Sequence, residues 1–290
     1  EAIEILDSCL TQIKERRGAL LKAQRRDKEY TSLLQQLLSA LGHPAAEYDT
    51  DLSNHFIQTP QYLEARRFGR YLFLGRRGAG KTANFLQLCK DFLVQTRNIV
   101  VSISPSKLQL VSAIEKLYNK VGQKNTTALF EMFWKYVILT EIAIKCGEYA
   151  NEKIYTTEPQ LFGNVVRLLN ESIDTASQFD IRFNRMIDSF CAHILESSLT
   201  DIRSSILRNF YTEYFPELTQ NIARISEQHQ IIVLIDDLDR DWDSSNILSI
   251  SSLINSLLEV MGHINIHKEF GNCKVITFLR TDIYGLSSGY

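Results

Sequence analysis

The stretch Tyr71-Leu72-Phe73-Leu74-Gly75-Arg76-Arg77-Gly78-Ala79-Gly80-Lys81-Thr82 carries the densest information in the chain. Its first part is an aromatic and aliphatic run ending in glycine, which reads as a buried strand. Gly75 to Thr82 fits the pattern G-x-x-x-x-G-K-[ST], and Lys81 to Gln95 then shows apolar residues at helical spacing. Strand, glycine loop and helix in that order form a phosphate cradle. Glycines let the backbone wrap an anion, successive N–H groups and the helix N-terminus point at it, and a lysine neutralises the terminal phosphates. The pattern assigns Gly75, Arg77, Gly78, Ala79, Gly80, Lys81, Thr82 and Ala83 to a nucleotide, with the Thr82 hydroxyl on Mg²⁺. The competing reading is a glycine-rich turn without a ligand.

Working outward, three more apolar runs read as strands: Asn98 to Ser104, Gln230 to Ile235 and Cys273 to Leu279. Continuous apolar runs separated by helical segments predict parallel strands covered on both faces. The expected class is therefore α/β, a P-loop NTPase parallel-sheet core. Between the second and third runs lie about 125 residues that read as helix, including Thr126 to Cys146, Pro159 to Ala176, Gln178 to Glu196 and Leu199 to Tyr214. A crossover needs only about a dozen residues, so a helical insertion is expected at about 106–229. After the third run, Ile247, Ile250, Ile254, Leu257 and Met261 mark one face of a further helix.

The third run ends in Asp236-Asp237. Buried aliphatics followed by two carboxylates place Asp236 at the carboxyl end of the sheet, where open α/β sheets bind ligands. Asp236 is the expected Mg²⁺ ligand, and Asp237 the residue that orients or deprotonates the attacking water. A pair of solvated strand-end carboxylates is the plainer alternative.

The longer segment Asp236-Asp237-Leu238-Asp239-Arg240 resembles the DDLDR signature of KAP-like P-loop ATPases, relatives of the STAND and AAA+ groups. The resemblance covers the glycine-loop strand and helix, the acidic strand and the strand after it, about a third of the chain. It implies an ATPase switch within a larger prokaryotic protein, and a role in antiviral defence or signalling. Relatives carry helical insertions between the two motifs, many of them membrane-spanning. Here Glu131, Lys135, Glu141 and Lys145 interrupt the most apolar inserted helix, which departs from that pattern. By similarity to STAND proteins, Arg280 at the end of the fourth strand is a candidate phosphate sensor, with local pairing to Asp282 as its alternative. Arg240 is a weaker candidate for an arginine finger acting on a neighbouring subunit.

Composition is that of a folded chain: 290 residues, 44% hydrophobic and 23% charged, enough for roughly two domains. With only 13 glycines and 5 prolines, turns are sparse, which argues against an all-β fold. A net charge of −2 gives no global field for nucleic acid or an anionic membrane. Five scattered cysteines (Cys9, Cys89, Cys146, Cys191, Cys273) without a C-x-x-C pair argue against a disulfide framework or zinc site, so a reducing, cytoplasmic setting is expected. No stretch reaches the ~20 apolar residues of a membrane span. The chain begins at Glu1 without Met and stops at Tyr290, which reads as a piece of a longer protein.

Residues 1–44 form an expected N-terminal helical segment, with Ile3, Leu6, Leu10, Ile13, Leu20, Leu34, Leu38 and Leu41 on 3-4 spacing and Gly42-His43-Pro44 as the stop. Residues 45–290 are the expected nucleotide domain. The basic residues Lys14, Arg16, Arg17, Arg25, Arg26 and Lys28 read as a solvated helix face more simply than as a nucleic-acid patch. Arg66, Arg67, Arg70, Arg76 and Arg77 crowd the glycine loop against one nearby acid, Glu64. Trp134 and Tyr136 read as core. His263 and His267 lack a third metal ligand and a regular helix across Asn265. Guanine is disfavoured because Asn119-Lys120-Val121-Gly122 lacks the aspartate of N-K-x-D.

The expected activity is Mg²⁺-dependent ATP hydrolysis that moves the helical regions or an oligomer. The alternatives are a nucleotide-bound scaffold that recruits a protein effector without hydrolysis, and a small-molecule phosphoryl transferase.

Overall fold

The computed structural model describes residues 14, 32, 45–121, 126–152, 159–170, 178–195, 215–238 and 247–287. The chain divides into two compact units, Glu1–Ile57 and Gln58–Tyr290. In the first, a 3-10 turn at Ala46–Tyr48 and one helical turn at Leu52–His55 are described. The expected N-terminal helices and their Gly42-His43-Pro44 stop lie outside the described residues apart from Lys14 and Ser32, which are helical and exposed.

The second unit is mixed α/β. In chain order its elements are α1 (Pro60–Arg66), β1 (Leu72–Gly75), α2 (Lys81–Leu93), β2 (Asn98–Ile103), α3 (Lys107–Val121), α4 (Thr126–Glu152), α5 (Pro159–Asn170), α6 (Phe179–Leu195) and α7 (Phe215–Ser226). They are followed by β3 (Gln230–Ile235), α8 (Ile247–Ile266), β4 (Cys273–Arg280) and α9 (Thr281–Ser287). The four strands form one all-parallel sheet in the order β1-β4-β3-β2. Every strand after the first is reached by a helical crossover, as parallel pairing requires. β3 shows why the sequence reads as a continuous apolar run: Ile231 to Ile235 are each 0% exposed, so neither face of the strand meets water.

Side chains of successive strand residues alternate between the two faces. Phe73 and Phe278 stack at 5.6 Å and Phe85 of α2 meets Phe278 edge-on at 6.3 Å, so one face is covered by α2. The other presents Ile99, Val101, Ile231, Val233, Ile235, Val275 and Leu279 to a core shared with the inserted helices and α8. α2 buries Phe85, Leu88 and Phe92 at 3-4 spacing and ends at Leu93 rather than Gln95. The Asn98 amide at the start of β2 donates to the Phe92 carbonyl at 2.9 Å, a carbonyl that also accepts the Gln95 N–H at 3.2 Å, so the helix end and the strand start share one acceptor.

Five helices, α3 to α7, occupy the insertion among the described residues. α4 runs to Glu152, six residues past the expected end. Its Trp134 is 0% exposed and donates its indole N–H to the Leu253 carbonyl of α8 at 2.9 Å, while Phe133 packs against Phe183 and Phe190 of α6. Glu141, one of the charges that interrupts the apolar helix, is buried and held bidentately by Arg182 at 3.0 and 2.7 Å. Among the described residues no helix is long and apolar enough to cross a membrane. α5 and α6 match the expected helices over Pro159–Asn170 and Phe179–Leu195, whereas the one expected at Leu199 to Tyr214 lies outside the described residues.

Two local expectations need correction. Arg66 finds its acid in Asp91 of α2 at 3.5 Å. The same carboxylate accepts Tyr62 Oη at 2.6 Å and Gln87 Nε2 at 2.9 Å, joining α1 to α2. Burial and the Asp91 carboxylate push the Tyr62 phenol well above its ordinary value. Secondly, α8 continues regularly through Asn265, because the side-chain amide is satisfied by the backbone of Val275, with Nδ2 donating to its carbonyl at 2.9 Å and its N–H donating to Oδ1 at 2.8 Å. His263 and His267 stack at 4.0 Å, and among the described residues no three His, Cys, Asp or Glu side chains form a metal-binding group.

Candidate functional site

The glycine loop leaves β1 at Gly75 and enters α2 at Lys81. Its turn is closed by the Ala79 N–H donating to the Arg76 carbonyl at 3.1 Å. A Cβ at Gly75 would stand 3.2 Å from Ala79 Cβ and 3.3 Å from Lys81 Cγ, so the loop folds back closely over its own start and a side chain there would require its neighbours to give by a few tenths of an ångström. Gly78 and Gly80 have φ of 77° and 78°, the left-handed region open to glycine. Gly80 is the N-cap of α2 and offers no side chain to the first-turn N–H groups. Lys81, Thr82 and Ala83 begin the helix, partly exposed. Lys81 Nζ lies 3.5 Å from the Gly75 carbonyl and 3.4 Å from that of Arg76, so the ammonium already sits over the loop. Arg77, like Arg67, Arg70 and Arg76, is exposed.

The acidic segment approaches on the same side. The Asp236 N–H extends the ladder by donating to the Ile103 carbonyl at 3.1 Å, and alternation from the 0%-exposed Ile235 directs the Asp236 side chain to the α2 face. Asp236 is 2% exposed. Burial pushes the Cys89 thiol of α2 above its ordinary value and the Asp236 charge pushes it the same way, while a hydrogen-bond contact with Ser102 of β2 at 3.4 Å opposes both.

Asp237 has φ of 61°, one of two left-handed residues other than glycine among those described. The reversal lets Leu238 turn back into the core, where it is 0% exposed, and leaves Asp237 partly exposed at the strand end. Aspartate tolerates this conformation better than most residues because its short side chain bonds locally. Asp239 and Arg240 lie outside the described residues.

β4 stands between the loop strand and the acidic strand. Arg280 is in register with Gly75, and Thr277, three residues earlier, with Ile235. Arg280 therefore ends the strand beside the loop, on the α2 face by alternation from Phe278. Its guanidinium pairs with Asp282, Nε to Oδ1 at 3.1 Å, and this hydrogen bond holds the Asp282 carboxyl below its ordinary range. The local pairing weighed from sequence is present.

The donor set fits a nucleotide with Mg²⁺. The loop supplies N–H groups, an ammonium and the space that its glycines leave open. Thr82 and the buried Asp236 supply hard oxygens of the kind Mg²⁺ takes. Two features were not read from the sequence. A cavity of about 660 Å³ adjoins the loop, lined by Pro60, Gln61, Glu64, Arg70, Lys81 and Asn84 among others. Asn84 also binds the Gly80 carbonyl through its amide at 2.7 Å. The only sequence signal for that contact is the four-residue spacing from Gly80.

No family model matches the chain, and no solved structure matches it. The chain is 27% identical over 216 residues to a protein of Escherichia coli (strain K12) called "Putative transposon gamma-delta 80.3 kDa protein". The match covers 71% of this chain and 29% of that protein, so the chain spans less than a third of the length of the curated relative it matches.

Proposed function

We propose that the chain is an ATP-binding, Mg²⁺-dependent ATP-hydrolysing switch module with a P-loop NTPase core, of the KAP-like kind that the DDLDR segment resembles. One observation carries the reading. The glycine loop, Lys81, Thr82, Asp236 and Arg280 come from three strands and one helix, yet all belong to the carboxyl end and the α2 side of one parallel sheet. A glycine turn without a ligand requires no buried carboxylate on that side.

The loop N–H groups and Lys81 bind the β- and γ-phosphates and carry the charge that grows on them in transfer. Mg²⁺, when bound, supplies charge neutralisation across the same phosphates, with Thr82 and Asp236 as the protein oxygens that would hold it. Asp237 orients a water and takes up its proton as the water oxygen bonds to the γ-phosphorus and the bridging P–O bond breaks, giving ADP and phosphate. Arg280 reports the γ-phosphate by exchanging its pairing with Asp282 for the phosphate oxygens. Output through an oligomer or a protein effector belongs to the same proposal.

The second reading is a nucleotide-bound scaffold without turnover. It is favoured by Asp237 having a structural use in the Leu238 reversal whether or not its carboxylate acts on water. The test is MgATP binding and phosphate release for the wild type, Lys81→Ala and Asp236→Asn. Turnover in the wild type, with binding lost in Lys81→Ala and turnover lost in both variants, supports the switch. Lysine-dependent binding without turnover replaces it by the scaffold, and binding indifferent to Lys81 removes the nucleotide reading altogether.

A further inference from the structure

We infer that Asn84 is a positioning residue of the loop: it pins the Gly80 carbonyl, and thereby turns the Lys81 N–H toward the bound phosphate. This rests on the ATP reading above.

The Gly80 carbonyl accepts two hydrogen bonds from the same residue, the Asn84 backbone N–H at 2.9 Å and the side-chain Nδ2 at 2.7 Å. In a planar trans peptide the C=O of one residue and the N–H of the next point in opposite directions. A Gly80 carbonyl drawn down the helix toward Asn84 therefore turns the Lys81 N–H up and out of the helix end, into the loop. Gly80 is the point at which this direction is most easily lost. It is left-handed at φ 78°, and a glycine there has wide freedom to rotate its following peptide. The backbone bond alone is an end-of-helix bond prone to fraying, and the Asn84 amide doubles it. The nearest atom to a Cβ built on Gly80 is again Asn84 Nδ2, at 3.9 Å, so the amide lies directly alongside the residue it restrains. An asparagine inside the first turn is otherwise a poor helix former.

Helix propensity separates this role from a structural one. Alanine favours the helix but cannot donate, whereas serine in a helix donates to the carbonyl four residues back, here that of Gly80. Binding of MgATP by titration, steady-state kinetics and thermal unfolding are measured for the wild type, Asn84→Ala, Asn84→Ser and Lys81→Ala. Asn84→Ala is expected to weaken binding about three- to tenfold, the loss of one hydrogen bond's ordering effect. KM should rise more than kcat falls, Tm should hold or increase, and Asn84→Ser should recover most of the affinity. Wild-type affinity in Asn84→Ala overturns the inference, as does failure of serine to recover it or a Tm that falls along with binding. If the wild type binds MgATP no better than Lys81→Ala, the ATP reading falls and takes this inference with it. If the wild type binds and Asn84→Ala matches it, this inference alone falls.

Discussion

Replacing Asp237 by asparagine separates the carboxylate's chemistry from its backbone's geometry, because the residue sits at φ 61°. A bulky or β-branched substitute would add a left-handed penalty of roughly 1–2 kcal/mol, and any loss of activity would be confounded with damage to the turn that buries Leu238. Asparagine shares aspartate's tolerance of that region and its size, so the fold is expected to lose only a few tenths of a kcal/mol. What it cannot do is accept the water's proton. General-base assistance contributes roughly 10²- to 10⁴-fold, so turnover should fall at least about a hundredfold while MgATP affinity stays within about threefold of wild type. The assay is phosphate release under saturating MgATP, beside binding and thermal unfolding on the same preparations. Asp237→Ala serves as the strain control and should lose about 1 kcal/mol of stability that Asp237→Asn does not. Turnover in Asp237→Asn within threefold of wild type refutes the assignment and leaves Asp237 as a turn residue. Equal destabilisation by asparagine and alanine refutes the conformational argument.

Two further outcomes concern the scaffold. Arg182→Ala strands the Glu141 carboxylate at 5% side-chain exposure, and loss of one partner of a buried pair costs about 3 kcal/mol; urea unfolding should show this, and a change under 1 kcal/mol would mean that water reaches Glu141. In that series Arg182→Leu combined with Glu141→Leu should recover much of the loss. The second is a pH effect at His263, whose folded value is lowered from 6.5 by burial first and by its neighbours His267 and Lys135, with Glu269 opposing. A histidine depressed by folding takes up protons more readily when unfolded, so its contribution is present above about pH 6.5 and is lost on acidification. Stability measured from pH 7.5 to 5.5 should therefore fall less steeply in His263→Asn than in wild type, and identical slopes would contradict the assignment.

The local grammar of the fold was legible because it rests on neighbouring residues. Apolar runs ending in glycine or aspartate marked β1 and β3, and 3-4 spacing marked α2 and α8. The expected Lys81–Gln95 helix stops two residues early, at Leu93, and the Asn98 amide occupies the Phe92 carbonyl near that end. What depended on tertiary proximity was illegible. Arg66 has Glu64 two positions away but pairs with Asp91, and nothing local announces that α1 packs on α2. Phe68 is a sharper case. It occupies the left-handed position after α1 at φ 57°, although the glycine that would suit that position is next in line, and its ring stacks on Phe92 at 5.4 Å. Aromatic stacking there offsets a backbone cost that residue-by-residue reading would assign to Gly69.

Sheet order supplied what the motifs alone lacked. Lys81 and Asp236 are far apart in sequence, and an intervening chain of that length costs little extra closure entropy, about 0.6 kcal/mol per doubling. The insertion is moreover no pendant loop. Trp134 of α4 is bonded to the backbone of α8, and α4, α8 and the strands share one core on the face opposite α2. Leu238, the second residue after Asp236, inserts into that same core. The sheet therefore has the glycine loop's helix on one side and the inserted helices on the other, with the acidic strand's last residues contributing to both: Asp236 toward α2, Leu238 to the core that the inserted helices share. Under the switch proposed above, a displacement at that strand end would reach the insertion through packed atoms, because a close-packed core transmits strain.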